Sequence, residues 1–238
     1  MTLRSPGTVL VTGASRGIGR AVALRFAREG YEVLAVARSQ DDLDALAVEI
    51  RDEGGLCTGY ALDVADRAAV AATLTGLDVD VLVNNAGVGV LKPFVELTAE
   101  EWHRMVDVNV NALFHVTRAV LPGMFARKSG HVCTIGSIGS RSVFAGGTAY
   151  GATKAFVTSW AENLMLEVRD RGVKVSVVMP GAVATEFNGK SVSDADAWKL
   201  MPTDVADAVA RVVLTPPHVL IHRLEVRTLT VPSKGQGK

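Results

Sequence analysis

Thr8-Val-Leu-Val-Thr12-Gly13-Ala-Ser15-Arg16-Gly17-Ile18-Gly19 is a short β-branched run that passes through a glycine loop into the helical apolar period of residues 17–29. Strand, loop and helix in that order form the context a dinucleotide-binding turn requires. Gly13 permits the sharp turn. Gly17 and Gly19 withhold side chains where backbone N–H groups and the positive helix end can approach a pyrophosphate. The spacing is GxxxGxG and not GxGxxG, so the inference rests on the context as much as on the glycines.

The next β-branched run ends at Ala35-Val-Ala-Arg38-Ser39. A carboxylate at this point would accept from a ribose 2′-OH and repel a 2′-phosphate; the residue is Arg38. Arg16 in the loop adds a second guanidinium able to reach the same place, so charge and fork geometry favour the phosphorylated cofactor NADP(H) over NAD. A single arginine at either position would be an ordinary solvated charge.

Outward from this unit, β-branched runs near 8–12, 31–37, 57–62, 79–84, 131–136, 173–179 and 219–226 alternate with helical patterns near 17–29, 41–53, 66–75, 98–127, 150–171 and 203–214. Thr98-Ala-Glu-Glu101 is a capping box at one helix start, and Asp41, Asp42 and Asp44 suit the positive end of another. The strands are apolar at consecutive positions, as expected when helices cover both faces of a parallel sheet. The expected fold is α/β, a Rossmann-type doubly wound parallel sheet of about seven strands. All 238 residues are expected to form a single domain, with a frayed tail at about 232–238 and a loop at about 182–202 that carries substrate contacts and a short helix around 195–200.

Composition excludes more than it names. Lys plus Arg and Asp plus Glu both number 25, so no global field holds a nucleic acid or an anionic membrane surface. No apolar run approaches the roughly 18 residues of a membrane span, and the first residues lack a signal-peptide core. Two cysteines, Cys57 and Cys133, lie in apolar segments, far from a disulfide framework. A cytoplasmic protein is expected. Gly at 23 of 238 exceeds the usual share of about 7%, consistent with many tight strand-to-helix turns. Of five histidines, His103, His115 and His131 are scattered, while His218 and His222 fall on the seventh expected strand, too far apart to chelate one ion. No metal is expected.

With Thr12-Gly-Ala-Ser-Arg-Gly-Ile-Gly19, Asn84-Asn-Ala-Gly87, Ser137, Tyr150-Gly-Ala-Thr-Lys154 and Pro180-Gly181 on one chain in this order, the sequence resembles the short-chain dehydrogenase/reductase family over nearly its whole length. The resemblance implies hydride transfer at a carbonyl or alcohol. It also implies cofactor contacts at Gly13, Ser15, Arg16, Gly17, Ile18, Gly19, Arg38, Asp63, Val64, Asn85, Ala86, Gly87, Tyr150, Lys154, Pro180, Gly181, Val183 and Thr185. Among these, Asp63-Val64 resembles the pair that meets the adenine, and Thr185 the threonine that bonds the carboxamide; Glu186 after it reads as a surface charge.

The catalytic reading has physical support of its own. Tyr150 and Lys154 are four apart at a helix start and share one face, so an ammonium can lower the phenol's pKa toward working pH. Carbonyl reduction needs a proton at oxygen as hydride reaches carbon, and Tyr150 suits that role. Ser137, at the carboxyl edge of the fifth strand, can orient the substrate oxygen. Asn109, in Asp107-Val-Asn-Val-Asn111, matches the family's fourth catalytic position, whose implied role is to hold a water relaying protons to the lysine.

Substrate identity is left to loops 138–149 and 182–202. Reduction of a small or medium carbonyl compound, or its reverse, is the expected reaction. Arg127, Lys128, Arg169 and Arg171 near two helix ends could meet an acidic carrier protein, which would suit 3-oxoacyl-carrier-protein reduction; cations at helix C-termini explain them equally. The segments 180–187 and 218–232 look more like members that oxidise short 3-hydroxy acids such as serine or allo-threonine. Val143, Phe144 and Phe187 make an apolar candidate pocket, with Arg141 the nearest partner for a carboxylate. An NADP-binding sensor or scaffold on the same fold has no need of the catalytic set. The resemblance also implies a homodimer or homotetramer built on the helices at 108–127 and 150–171; Trp102, Met105, Phe114, Trp160 and Leu164, on the long helical patterns, otherwise read as packing residues.

Overall fold

Consecutive apolar residues in the inner strands bury toward opposite faces of one sheet. In β1 (Thr8–Thr12), Val9 and Val11 join the core under α1 (Gly17–Arg28), α2 (Gln40–Asp52) and α7 (Pro202–Val213), while Leu10 joins the core under α3 (Arg67–Leu74), α5 (Ala112–Arg127) and α6 (Thr148–Val168). All three valine and leucine side chains are fully buried. Each such side chain stabilises the fold by about 1.5–3 kcal/mol through water exclusion, which is why the runs need no polar alternation. The computed structural model describes residues 7–187 and 191–230.

The other strands are β2 (Glu32–Ala37), β3 (Cys57–Ala61), β4 (Val81–Asn84), β5 (Gly130–Ile135), β6 (Val173–Pro180) and β7 (Arg223–Val226). They pair in parallel in the order β3-β2-β1-β4-β5-β6-β7. Chain order reverses between β1 and β4, so their following loops part to opposite faces and leave a crevice at the carboxyl edge. This is the doubly wound Rossmann-type sheet expected of the sequence.

Two elements differ from expectation. The segment read as one helix over 98–127 consists of α4 (Ala99–Val106), a π turn at Asp107–Asn111, and α5. The extra residue in that turn re-aims side chains without breaking the axis, a device frequent at functional sites. The seventh strand starts at Arg223 and not at 219, so His218 and His222 both precede it. Pro216 and Pro217 supply no N–H to a ladder, and a turn in which Val219 N–H donates to Pro216 C=O holds this stretch off the sheet.

The expected loop at 182–202 is pinned at both ends by a bridge between Val183 and Leu200, with Ala184 N–H donating to Leu200 C=O and Leu200 N–H to Ala182 C=O. The short helix within it is one 3₁₀ turn, Asp194–Asp196, capped by Ser193. The tail read as frayed, 232–238, lies outside the described residues, and no helix among those described is long and apolar enough to cross a membrane.

Candidate active site

The glycine loop meets its structural demands at specific atoms. Gly13 and Gly17 adopt φ of +67° and +55°, in the left-handed region that favours glycine. A Cβ on Gly19 would stand 2.2 Å from the Gly13 carbonyl oxygen and 2.4 Å from Asn85 Nδ2. Helices α2, α3 and α4 carry side-chain caps from Ser39, Asp66 and Thr98, whereas α1 follows Arg16 with no side-chain cap and no acid in its first turn. Its N–H groups and positive end are thus left to an anion.

The loop is tied to the switch point by Thr12, whose Oγ1 accepts from Asn85 N–H and Ala86 N–H at 3.0 Å each. Asn85 Nδ2 returns bonds to the Thr12 and Gly13 carbonyls at 2.9 and 3.2 Å. Ala14 N–H donates to Val36 C=O, which draws β2 and the exposed Arg38 alongside. From the other side Thr185 approaches Gly17, and Arg16 pairs with Glu186 at 3.5 Å in solvent. Ile18 packs into the α1 core, and Gly181 N–H is held by Val226 C=O. Asp63 accepts from Ala65 N–H at 3.0 Å and pairs with Arg104 at 3.0 Å; although burial opposes it, these bonds hold its carboxyl below the usual range. Val64 turns its side chain into the core, so only its backbone can face an adenine.

Beside this cradle stand the four residues of the expected catalytic set. Ser137 Oγ accepts from Gly139 N–H at 3.0 Å and hydrogen-bonds with the Tyr150 hydroxyl. Lys154 Nζ donates to Ile135 C=O at 2.9 Å and lies 6.0 Å from the Tyr150 ring centre. The π turn presents Asn109 inward: Oδ1 accepts from Val88 N–H at 2.9 Å, and Nδ2 donates to Val88 C=O at 2.8 Å and to Thr153 Oγ1 at 3.0 Å. Thr153 in turn donates to Tyr150 C=O, joining both elements. Asn111 instead faces solvent and donates to Asp107.

The electrostatics depart from the sequence expectation. Burial pushes the Tyr150 hydroxyl above its ordinary pKa, and the Ser137 bond only partly offsets this. Lys154 is buried, and loss of hydration lowers it to about 8. An ammonium kept from water cannot depress a neighbour's pKa at full strength, since its own charged form is disfavoured. Burial therefore favours the uncharged form of both groups, the phenol of Tyr150 and the amine of Lys154.

Phe187 and Phe144 wall the opening. Phe187 stacks obliquely on Tyr150 with ring centres 5.7 Å apart, and Gly89 leaves the space in which both rings meet. Phe144 lies over Gly139 and Gly147. Val143, expected in this wall, is 99% exposed and stands clear of it, because the turn after Ile138–Ser140 carries it outward. Arg141 is exposed and lies 3.9 Å from Glu225.

The model of the family described as short chain dehydrogenase matches residues 7–196. This chain belongs to that family. It is 39% identical over 243 residues to the NADP-dependent 3-hydroxy acid dehydrogenase YdfG of Escherichia coli K12, covering 95% of this chain and 97% of that protein. It is 34% identical to a serine 3-dehydrogenase of Rhizobium radiobacter, over 92% and 93% of the two chains. Among solved structures, serine dehydrogenase in its closed form with NADP⁺ superposes with a TM-score of 0.84 at 39% identity, over 92% of this chain and 94% of that one. An alcohol dehydrogenase of Thermococcus sibiricus with 5-hydroxy-NADP gives 0.87 at 32%, over 94% and 97%.

The chain is an NADP-dependent short-chain oxidoreductase, and its uncapped α1, glycine turns and Arg38 fit that cofactor. Three residues of this dehydrogenase escaped the sequence reading: Thr12, Thr153 and Arg104. Thr12 and Thr153 stand inside the quoted motifs, one beside Gly13 and one beside Lys154, where a short hydroxyl next to a functional residue was the available signal. Arg104 had none, since its partner Asp63 is distant in sequence.

Proposed function

We propose that this enzyme interconverts a short 3-hydroxy acid and its 3-oxo acid. The observation that carries the reading is the Ser137–Tyr150–Lys154 group at the mouth of the NADP cradle, on a chain 39% identical over nearly its full length to a 3-hydroxy acid dehydrogenase. Held by the glycine loop, the uncapped start of α1 and Arg38, the nicotinamide cofactor would supply the hydride acceptor for oxidation and the hydride donor for reduction.

The chain's own residues handle the proton and the orientation. Ser137 holds the substrate oxygen beside Tyr150, which takes its proton on oxidation and returns it on reduction. Lys154, fixed by Ile135 C=O, steadies the phenolate form, and Asn109 anchors the backbone at Val88 next to the lysine. Phe187 and Phe144 exclude water from the reacting carbon, and Arg141, held only loosely by Glu225, is the group on hand for a carboxylate.

A second reading, reduction of an apolar ketone, is favoured by the same aromatic wall. The carrier-protein reading has less support. Arg127 is engaged by Asp78 and by Val79 C=O at 2.7 Å, and Arg171 lies 3.5 Å over the Phe125 ring. Absorbance at 340 nm with NADP⁺ and a panel of 3-hydroxy acids and secondary alcohols tests the proposal. The expected result is a kcat/KM for serine, allo-threonine or 3-hydroxybutyrate above that for any uncharged alcohol. Exclusive use of uncharged alcohols would establish the second reading, and no turnover across the panel in either direction would leave an NADP-binding protein.

A further inference from the structure

The ends of β2 and β3 leave the sheet side by side. Ala37 pairs with Ala61, and Leu62 N–H donates to Ala37 C=O at 2.8 Å, so Arg38 and Asp63 depart from adjacent parallel strands at the carboxyl edge. Their charges are opposite and so are their demands. Asp63 stands where the adenine is expected, and Arg38 where a 2′-phosphate on the same nucleoside is expected. A phosphomonoester carries about −1.5 to −2 charges at neutral pH. An unpaired carboxylate beside it opposes binding in two ways, by repelling the phosphate and by drawing Arg38 to itself.

Asp63 is already engaged. Its Oδ1 accepts from Ala65 N–H at 3.0 Å, and its Oδ2 lies 3.0 Å from Arg104 Nη1. Arg104 comes from α4, a helix that starts at the Thr98–Glu101 capping box and is seated at its last turn by the fully buried Met105. The pair is 37% and 36% exposed, so salt screens it less than a fully solvated pair. Although burial opposes it, the bonds from Ala65 and Arg104, together with the field of Arg38, hold the Asp63 carboxyl below its usual range. Arg38 is exposed and forms no ion pair among the described residues. Asp63 thus lies within electrostatic reach of two guanidiniums and is bonded to the one from α4, while the one from the neighbouring strand stays unengaged.

We propose that Arg104 is a positioning residue for cofactor choice: by occupying Asp63 Oδ2 it neutralises the carboxylate on the adenine side and keeps Arg38 free for the 2′-phosphate. Arg104 acts through Asp63 and Arg38 and does not itself hold the phosphate. Without Arg104, the nearest cation for Asp63 is Arg38, and each bond formed between those two is one withdrawn from the phosphate. NADH, which has no 2′-phosphate, is indifferent to that exchange. The inference rests on the role given to Arg38 and is independent of which alcohol or acid is turned over.

Binding of NADPH and of NADH, each followed by nicotinamide fluorescence, tests this without any substrate. Arg104→Met is expected to weaken NADPH binding about tenfold, the scale of one bond to a charged group, and NADH binding by no more than about twofold. A residue that merely held the fold would weaken both alike. Asp63→Asn removes the charge that Arg104 answers, so in that background Arg104→Met is expected to leave the NADPH-over-NADH affinity ratio within about twofold. An unchanged ratio in Arg104→Met overturns the proposal. So does a tenfold fall that persists in the Asp63→Asn background, which would make Arg104 a direct phosphate ligand. Where the methionine variant fails to fold, Arg104→Gln keeps a hydrogen-bond donor without the charge, and the same two ratios decide. Arg38→Met with an unchanged ratio would remove the phosphate contact and overturn the inference with it. A wild type that binds NADPH but turns over no 3-hydroxy acid would fell the substrate reading alone, and the ratios would still decide the role of Arg104.

Discussion

The cofactor cradle and the substrate mouth share Tyr150 but are built differently. The cradle is made of backbone and short side chains: Gly13 and Gly19 at approach distances no Cβ tolerates and Gly17 at positive φ, locked to β4 by Thr12 and Asn85. The mouth is made of long side chains on two loops, with Phe187 and Phe144 partly in solvent and Arg141 loosely held. Backbone geometry restricts residue type, so the cradle can accept one class of ligand. Side chains on loops can be exchanged without disturbing the sheet, so the mouth is where related enzymes diverge in substrate.

That contrast can be broken at its shared residue first. Tyr150→Phe removes the proton donor while keeping the ring against Phe187. Turnover is expected to fall by about 10²–10⁴-fold, with NADPH binding, followed by fluorescence, unchanged. Substantial residual turnover would move the proton to another group. On the cradle side, Arg38→Asp replaces a charge-assisted contact to a 2′-phosphate with repulsion. The ratio of kcat/KM for NADPH over NADH should drop by about 10–100-fold with substrate KM unaffected. An unchanged ratio would assign phosphate selection elsewhere, with Arg16 the first candidate. On the mouth side, Phe187→Ala should change substrate KM by about tenfold and the cofactor ratio not at all.

The smallest effect lies at the opposite edge of the sheet. Ser176 Oγ donates to Ile221 C=O at 2.7 Å, so its contact of 2.8 Å with His131 Nε2 requires the histidine to donate there. Burial lowers His131 from 6.5 to about 3. Because the folded pKa is depressed, the stability it contributes is complete above the unfolded value of 6.5 and drains away as pH falls from there toward 3. Melting temperatures should decline over this window in the wild type and decline less in His131→Asn, while the kcat–pH profile near neutrality stays the same. A parallel decline in both would remove His131 from the account.

The same contrast explains what could be read before the structure. The strand–glycine–helix unit and the doubly wound parallel sheet were legible because parallel burial and cofactor approach leave marks in residue type and spacing, while Asn109 came through the family resemblance alone. The break of 98–127 into two helices was not, since the π turn at 107–111 costs one extra residue and no change in polarity. Nor was the late start of β7, where a proline turn outweighed β-branched propensity. At the site, Val143 was misplaced because apolar character in a loop does not specify direction, whereas Phe144, one residue on, does reach the wall. The lowering of the phenol expected from Lys154 is opposed for a three-dimensional reason: i,i+4 spacing says the two share a face but not that both lose their water.

Separation of cofactor choice from substrate choice is the claim on which these comparisons turn, and a double-variant cycle tests it most directly. The NADPH-over-NADH ratio and the substrate kcat/KM would be measured in Arg38→Asp, Phe187→Ala and the combined variant. The account predicts that the two effects multiply, with a departure no greater than about twofold, as for independent sites. A departure of tenfold or more would mean that cradle and mouth act as one unit, and would contradict it.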